Sequence, residues 1–378
     1  MTAMDRAGIA IFAHRYLAVK LVILAAALVA FFLPFGEGLG EDNFIYRQPD
    51  PASLADRFSP FDGQWYRQIA EQGYRAQPLY VQQRNINFFP LYPMLLHAFA
   101  PAFGSAAVAG IAVSLVAGAV AAFFLAALVA ADYPLAVAQR TVWYLLVFPS
   151  AVVLSAVYSE ALFLALGIGA LYAGRRRRWG WAALLGVFAA LTRSVGGLII
   201  LPLVVQYARA SGFRWRAWLR GVVVYAVIPI SVAGYLAFSG WLAGDWLIYP
   251  KALRAGWEHQ FGFPWAAFAG LGSRELFGYR DGALDAVVGG AFALLLLPIA
   301  RRLQPEYTAF AAAFTLVPLY TGSTMSWTRY MMVSFPHFLY LAQQPWLQRR
   351  WPALILSSLL LGGLIAFTLR FTSWQWIG

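Results

Sequence analysis

The sequence predicts an all-α, polytopic membrane protein, and three observations lead there. Of its 378 residues, 61% are hydrophobic and 12% are charged; soluble domains carry roughly 45–50% and about 25%. Too few polar side chains exist to cover a water-soluble globule of this length. Apolar runs close to the roughly 20 residues that cross a bilayer recur along the chain, and basic clusters separate many of them. Cysteine is absent, which excludes a disulfide framework, a thiolate nucleophile and a Cys-ligated metal.

The elements follow in order. The first apolar run covers 16–34, after Arg6, His14 and Arg15, and carries Lys20. It is too long for a signal-peptide core and no A-x-A site follows, so it reads as an uncleaved first span. Residues 36–104 then form a long external loop. Within it, 62–74 (DGQWYRQIAEQGY) sets Trp65, Tyr66, Ile69 and Tyr74 at helical spacings behind Asp62 as N-cap. This predicts a short amphipathic helix lying on the membrane surface. Segment 88–104 is apolar, short and proline-rich, and a full crossing there would invert every later loop. It reads as a second interfacial or re-entrant piece.

Spans follow at 105–131, 139–156 and 158–174. The stretch 180–207 has basic residues on both flanks, so it enters and returns as two short helices that break at 191–197 (LTRSVGG). Non-helical backbone at membrane depth is tolerated only against protein or a wet cavity. A span at 218–240 precedes a second external loop, 241–283. Runs at 284–300, 306–322, 330–345 and 352–370 complete a single integral domain, 1–378, of about 9–11 transmembrane helices.

The charges orient this bundle. Basic residues in short loops mark the cytoplasmic side. A cytoplasmic N-terminus with loops 132–140, 175–179, 208–217, 301–305 and 346–351 inside places 16 basic residues against 3 acids there. Outside, 12 basic residues face 13 acids. The net charge of +12 is therefore a topology signal and points to no nucleic acid. Lys20 and Lys251 are the only lysines among the 28 basic residues, a bias of GC-rich prokaryotic genes. A bacterial inner membrane is the expected location.

The outer level gathers ionisable groups from distant segments: Asp62, Glu160 beside Tyr158, Arg193, Asp245, and Arg329 beside Tyr330. Glu160 and Arg193 lie in apolar surroundings, where an unpaired charge is costly. Structural roles stand beside functional ones. Asp62 fits an N-cap, Glu160 and Arg193 fit an ion pair, Arg329 fits a snorkelling anchor and Asp245 an ordinary loop residue. Tyr66, Tyr74, Tyr92 and Trp257 fit either an aromatic belt or a sugar and lipid site. Carboxylates beside arginines suit transfer from a lipid-phosphate sugar. A carboxylate takes the proton of an acceptor hydroxyl, and guanidinium forks hold the leaving phosphate. His14, His97, His259 and His337 show no metal-ligand spacing, so no cofactor is expected. A divalent cation between Asp62 and a second carboxylate stays open. No G-x-G-x-x-G, P-loop or G-x-S-x-G occurs, in keeping with a lipid-linked donor.

Six stretches carry a resemblance: FDGQWYRQIAEQGY (61–74), NFFPLYP (87–93), FPSAVVLSAVYSEALF (148–163), ALTRSVGGLIILP (190–202), GDWLIYPKALRAGW (244–257) and SWTRYMMVSFP (326–336). In these the chain resembles the PIG-V-type membrane mannosyltransferases, the second GPI mannosyltransferase and its prokaryotic relatives, within the GT-C class. The resemblance implies a GT-C-like helical bundle, a catalytic face outside the cytosol and Asp62 as the catalytic base. It implies an inverting transfer of mannose from polyprenyl-phosphate mannose to a hydroxyl of a lipid, glycan or protein. Arg193 and Arg329 would hold the donor phosphate. Another polyprenyl-phosphate sugar, or transport of a lipid-linked saccharide, are the alternative readings.

Overall fold

The computed structural model describes residues 6–33, 53–75, 85–257, 261–269, 275–276, 279–280 and 282–377. Helices dominate them. A first helix, α1 (Arg6–Phe32), is followed by α2 (Leu54–Arg57), α3 (Asp62–Gln72), a 3₁₀ turn at Asn85–Asn87, α4 (Leu91–Phe103) and α5 (Ala106–Ala130). Next come α6 (Leu135–Leu146) with a 3₁₀ continuation Pro149–Ser155, α7 (Glu160–Arg175), α8 (Trp179–Ala190), a 3₁₀ stretch Ser194–Ile199 and α9 (Ile200–Ala210). Then α10 (Trp215–Tyr225), α11 (Val227–Ala243), α12 (Ile248–Trp257) and α13 (Pro264–Ala269) lead to a two-residue antiparallel ladder in which Glu275 pairs with Arg280. The chain closes with α14 (Ala283–Arg302), α15 (Pro305–Leu316), α16 (Trp327–Met332), α17 (Phe335–Ala342) and α18 (Arg350–Thr372).

This is a multi-pass membrane protein. Five stretches are long and apolar enough to cross a bilayer: Phe12–Phe32, Ala106–Ala130, Trp215–Ala243, Ala283–Arg302 and Arg350–Thr372. The pair α6 and Pro149–Ser155 makes a sixth when taken as one span. The run read as a straight span over 139–156 bends by 84° there. Phe148 takes the extended conformation that a following proline imposes, and Pro149 opens the new turn. The runs at 306–322 and 330–345 are likewise divided. Pro318 turns the end of α15 into 3₁₀ helix, and the chain breaks at Ser334 just before Pro336. The 9–11 expected spans thus become five or six full-length ones, among the described residues, with shorter helices packed between them.

Close packing comes from small residues. On α5, Ala109, Gly110, Ser114, Ala117, Gly118 and Ala121 are buried, letting neighbouring backbones approach. The segment 180–207 folds back on itself as two short helices. Trp179 and Tyr207, at its two ends, have rings 4.8 Å apart, and Gln206 donates to the Leu171 carbonyl at 3.0 Å. Its turn lies at 191–193, against the start of α7. Gly196 makes the fold-back feasible: a Cβ there would stand 2.3 Å from the Ala189 carbonyl oxygen.

The two ends of the bundle differ in chemistry. One collects the arginine-rich loops. Arg175 pairs with Asp132, Arg209 with Glu306 at 2.5 Å, and Arg140 donates to the Ala342 carbonyl at 3.0 Å. The other end holds α2, α3, the start of α4 and the α7 and α16 N-termini. Between them, Lys20 of α1 donates to Ser155 Oγ at 2.7 Å and to the Leu154 carbonyl at 3.4 Å, both in the second arm of the bent pair.

The helix expected over 62–74 forms as α3, but it does not lie on a surface. Seven of its residues are buried. Its would-be polar face is sealed because Arg67 turns inward to Asp56 at 2.7 Å and to Ser59 Oγ at 2.9 Å.

Candidate active site

Asp62 opens α3 as its first helical residue, so it is not the N-cap the sequence suggested. That place belongs to Phe61, at φ +49°, a backbone region that bulky residues rarely adopt. The Asp62 side chain belongs to the first turn of α3 and is not its cap. It points instead at Arg329, whose Nη1 is 2.8 Å from Asp62 Oδ2.

From this pair a row of alternating charges runs across four elements. Arg329 Nε stands 3.6 Å from Glu160 Oε1, and the same oxygen holds Arg193 Nη1. The order is Asp62, Arg329, Glu160, Arg193, and the row is formally neutral. Glu160 sits in the first turn of α7, where a helix N-terminus favours a carboxylate. Arg193 lies in the break between α8 and Ser194–Ile199, extended at φ −151°. Aromatic rings bracket the cations. The Tyr330 ring centre lies 5.5 Å from the Arg329 guanidinium and 5.9 Å from that of Arg193. Tyr158 lies 5.4 Å from Arg329.

Accessibility divides these groups. The Glu160 and Arg329 side chains are 2% and 6% exposed, while Asp62 and Arg193 reach 18% and 14%. Asp62, Arg329 and Arg193 face a pocket, and Glu160 lies behind them. That pocket has a volume of about 110 Å³, room for several waters and hence for a phosphate group. Asp62, Tyr66, Arg193, Arg329 and Tyr330 line it. Burial pushes the Tyr66 and Tyr249 phenols above their usual range. Both are neutral hydrogen-bonding groups at pH 7.

Other residues singled out from sequence lie elsewhere. Tyr92 is wholly buried and bonds the Gly110 carbonyl and Ser114 Oγ, while Tyr74 donates to the Phe88 carbonyl at 2.6 Å. They pack the wall behind Tyr66. Asp245 holds Lys251 at 2.7 Å and the Leu247 amide at 3.0 Å; it orders the α11–α12 turn, away from the pocket. The Trp257 side chain lies outside the described part of the structure. Asn87, Ser194, Tyr249 and Trp376 line the pocket without having been singled out. The first three fall inside the quoted motif stretches. Trp376 lies beyond them, and no pattern in the sequence marks it.

A second feature adjoins this site. An apolar groove of about 460 Å³ runs between α4, α5, α7 and α8, lined by residues such as Phe99, Val116 and Leu166. Its Val113 and Leu162 pack against the cluster of Trp65, Tyr66 and Tyr92, and Tyr66 of that cluster lines the pocket. Among the described residues, no group of three or more His, Asp or Glu side chains gathers as a metal site.

No protein-family model matches the chain, and no curated protein matches it either. Among solved structures the chain is similar to ArnT from Cupriavidus metallidurans bound to undecaprenyl phosphate. The TM-score is 0.42 and the identity 15%, over 94% of this chain and 76% of that one. For the apo state of the same protein the values are 0.39 and 14%, over 93% and 77%. A likeness of this size defines neither a family nor a function.

Proposed function

We propose that the protein is an inverting GT-C-type glycosyltransferase that takes its sugar from a polyprenyl phosphate, with mannose the first candidate. The row Asp62–Arg329–Glu160–Arg193 carries this reading. It offers a reachable carboxylate at one end of a small pocket and a reachable guanidinium at the other. The adjoining apolar groove suits an isoprenoid chain.

In the reaction, the acceptor hydroxyl oxygen attacks the anomeric carbon from the face opposite the phosphate. The bond from that carbon to the phosphate oxygen breaks, and Asp62 takes the hydroxyl proton. A β-linked donor gives an α-linked product. The phosphate leaves with its full charge, held by Arg193 and Arg329, and needs no acid. Glu160 keeps the two guanidiniums close despite their repulsion. Because Asp62 rests against Arg329, an incoming phosphate that draws Arg329 toward itself frees the base, so donor binding precedes deprotonation.

On this reading the site opens to the extracytoplasmic side of a bacterial inner membrane, with loops 36–104 and 241–283 on that side. The arginine-rich end and the N-terminus face the cytosol, in keeping with the positive-inside rule.

The test is transfer of labelled mannose from polyprenyl-phosphate mannose into a membrane extract. Asp62→Asn is expected to insert normally and to lose about 10²–10⁴-fold in kcat, the usual span of general-base catalysis. Near-normal turnover by that variant removes Asp62 from the base role. Transfer from a polyprenyl-phosphate glucose or pentose, but not from the mannose donor, replaces the sugar and keeps the chemistry. Lipid-linked saccharide crossing vesicles without covalent transfer refutes the reading.

A further inference from the structure

We propose that Trp376 is the acceptor-selecting wall of this site, held in place by a latch at the end of α18. The inference rests on the reading of Asp62 as the base for the acceptor hydroxyl.

The latch is visible in the backbone. The Gln375 amide donates to the Arg370 carbonyl at 2.9 Å and the Trp374 amide to that of Phe371 at 3.0 Å. These two bonds close a Schellman turn, whose left-handed position is normally glycine. Here it is Trp374, at φ +60°. A second left-handed residue, Phe61, faces it, with rings 6.3 Å apart. Two bulky residues in an unfavoured conformation thus pack on each other next to Asp62. Such conformations persist where the surroundings over-determine them, and they cluster at functional sites.

The latch aims Trp376 at the pocket. Its ring meets Phe61 edge-on at 4.8 Å, and the Arg329 guanidinium lies 5.9 Å from its centre. It lines the pocket together with Asp62. The opposite end of the row, at Arg193, is bordered by Ser194, Tyr249 and Asn87. The indole therefore stands at the end where the acceptor hydroxyl must arrive, away from the phosphate end. An indole offers a broad, rigid, apolar face. A ring with its own C–H face, such as a pyranose, gains by lying on it; a linear alcohol gains little.

The experiment uses the full-length protein in proteoliposomes, with labelled polyprenyl-phosphate mannose as donor. Two soluble acceptors share an alkyl chain: octyl mannopyranoside, and 2-octyloxyethanol, which has a primary hydroxyl and no ring. The quantity read is the ratio of their kcat/KM values. The wild type is expected to favour the pyranoside, and Trp376→Ala to lower that ratio about tenfold, chiefly through the pyranoside KM. Trp376→Phe, which keeps an aromatic face, is expected to restore most of it. A merely structural role slows both acceptors alike and leaves the ratio in place, and that result overturns the proposal. So does a wild type that prefers the ringless alcohol. Should the wild type cleave no donor at all, to water or to either acceptor, the transferase reading itself fails; intact donor cleavage with an unmoved ratio refutes only the role of Trp376.

Discussion

Glu160 shows what single residues contribute at this site. Its carboxylate is enclosed by two guanidiniums, so Glu160→Gln takes the counter-charge from Arg193 and leaves Arg329 with Asp62 alone. Removing one partner of a buried ion pair typically costs about 3–5 kcal/mol. Thermal unfolding in detergent is expected to show a loss of that order, and an unchanged midpoint dismisses Glu160 as the electrostatic spacer. Arg193→Lys should instead leave the fold in place and raise the donor KM about tenfold, because lysine keeps the charge but loses the planar fork. The Glu160–Arg193 pair was legible in the sequence, since a charge inside an apolar run needs a partner. The Asp62–Arg329 contact was not: 267 positions separate the two residues, and no local pattern encodes that meeting. Arg329 alone fits a snorkelling anchor equally well. Trp376 gave no signal because its role depends on where α18 ends in space.

Elements position these residues through backbone contacts. The buried Asp285 of α14 accepts from the Ser326 amide at 2.9 Å and the Thr328 amide at 2.7 Å. It fixes the turn that presents Arg329, with Ser326 held at φ +65°. On the proposed roles, Asp285→Ala is expected to lower kcat more than it raises the donor KM, because Arg329 could still reach the phosphate but would no longer sit squarely against Asp62. A rise in KM alone refutes this. One turn further along α14, a Cβ on Gly289 would come within 1.9 Å of the Trp327 ring. Gly289→Ala should therefore displace α16 and show as lost expression and lost activity together. The α8–α9 break was readable because basic residues flank it on both sides while its middle is apolar. The bend at Pro149 was not read as one. An unbroken hydrophobic run dominates the span signal, and hydropathy carries no angle.

At the scale of the whole molecule, the arrangement makes a statement about sides. The chain has no cysteine, so single-cysteine variants need no background removed. Arg177→Cys, in the arginine-rich turn after α7, should react with a membrane-impermeant maleimide only after the cells are opened. Trp246→Cys, in the exposed α11–α12 turn, should react in intact cells. The reverse pattern inverts the proposed orientation and puts the pocket in the cytosol.

Lys20 adds a dimension of time. It lies inside the first span, yet the groups it donates to arrive 134 and 135 residues later. At a synthesis rate of roughly 5–20 residues per second, that gap lasts on the order of 7–27 s. Throughout it, the first helix carries a lysine in the bilayer without its protein ligands, a burden of about 2.5–3.5 kcal/mol at mid-span. Biogenesis is therefore staged: α1 is placed early and locked late. A ribosome-bound chain ending before Ser155 should release α1 to alkaline extraction more readily than the same chain with Lys20→Leu. Once the bent pair has been made, that difference should vanish.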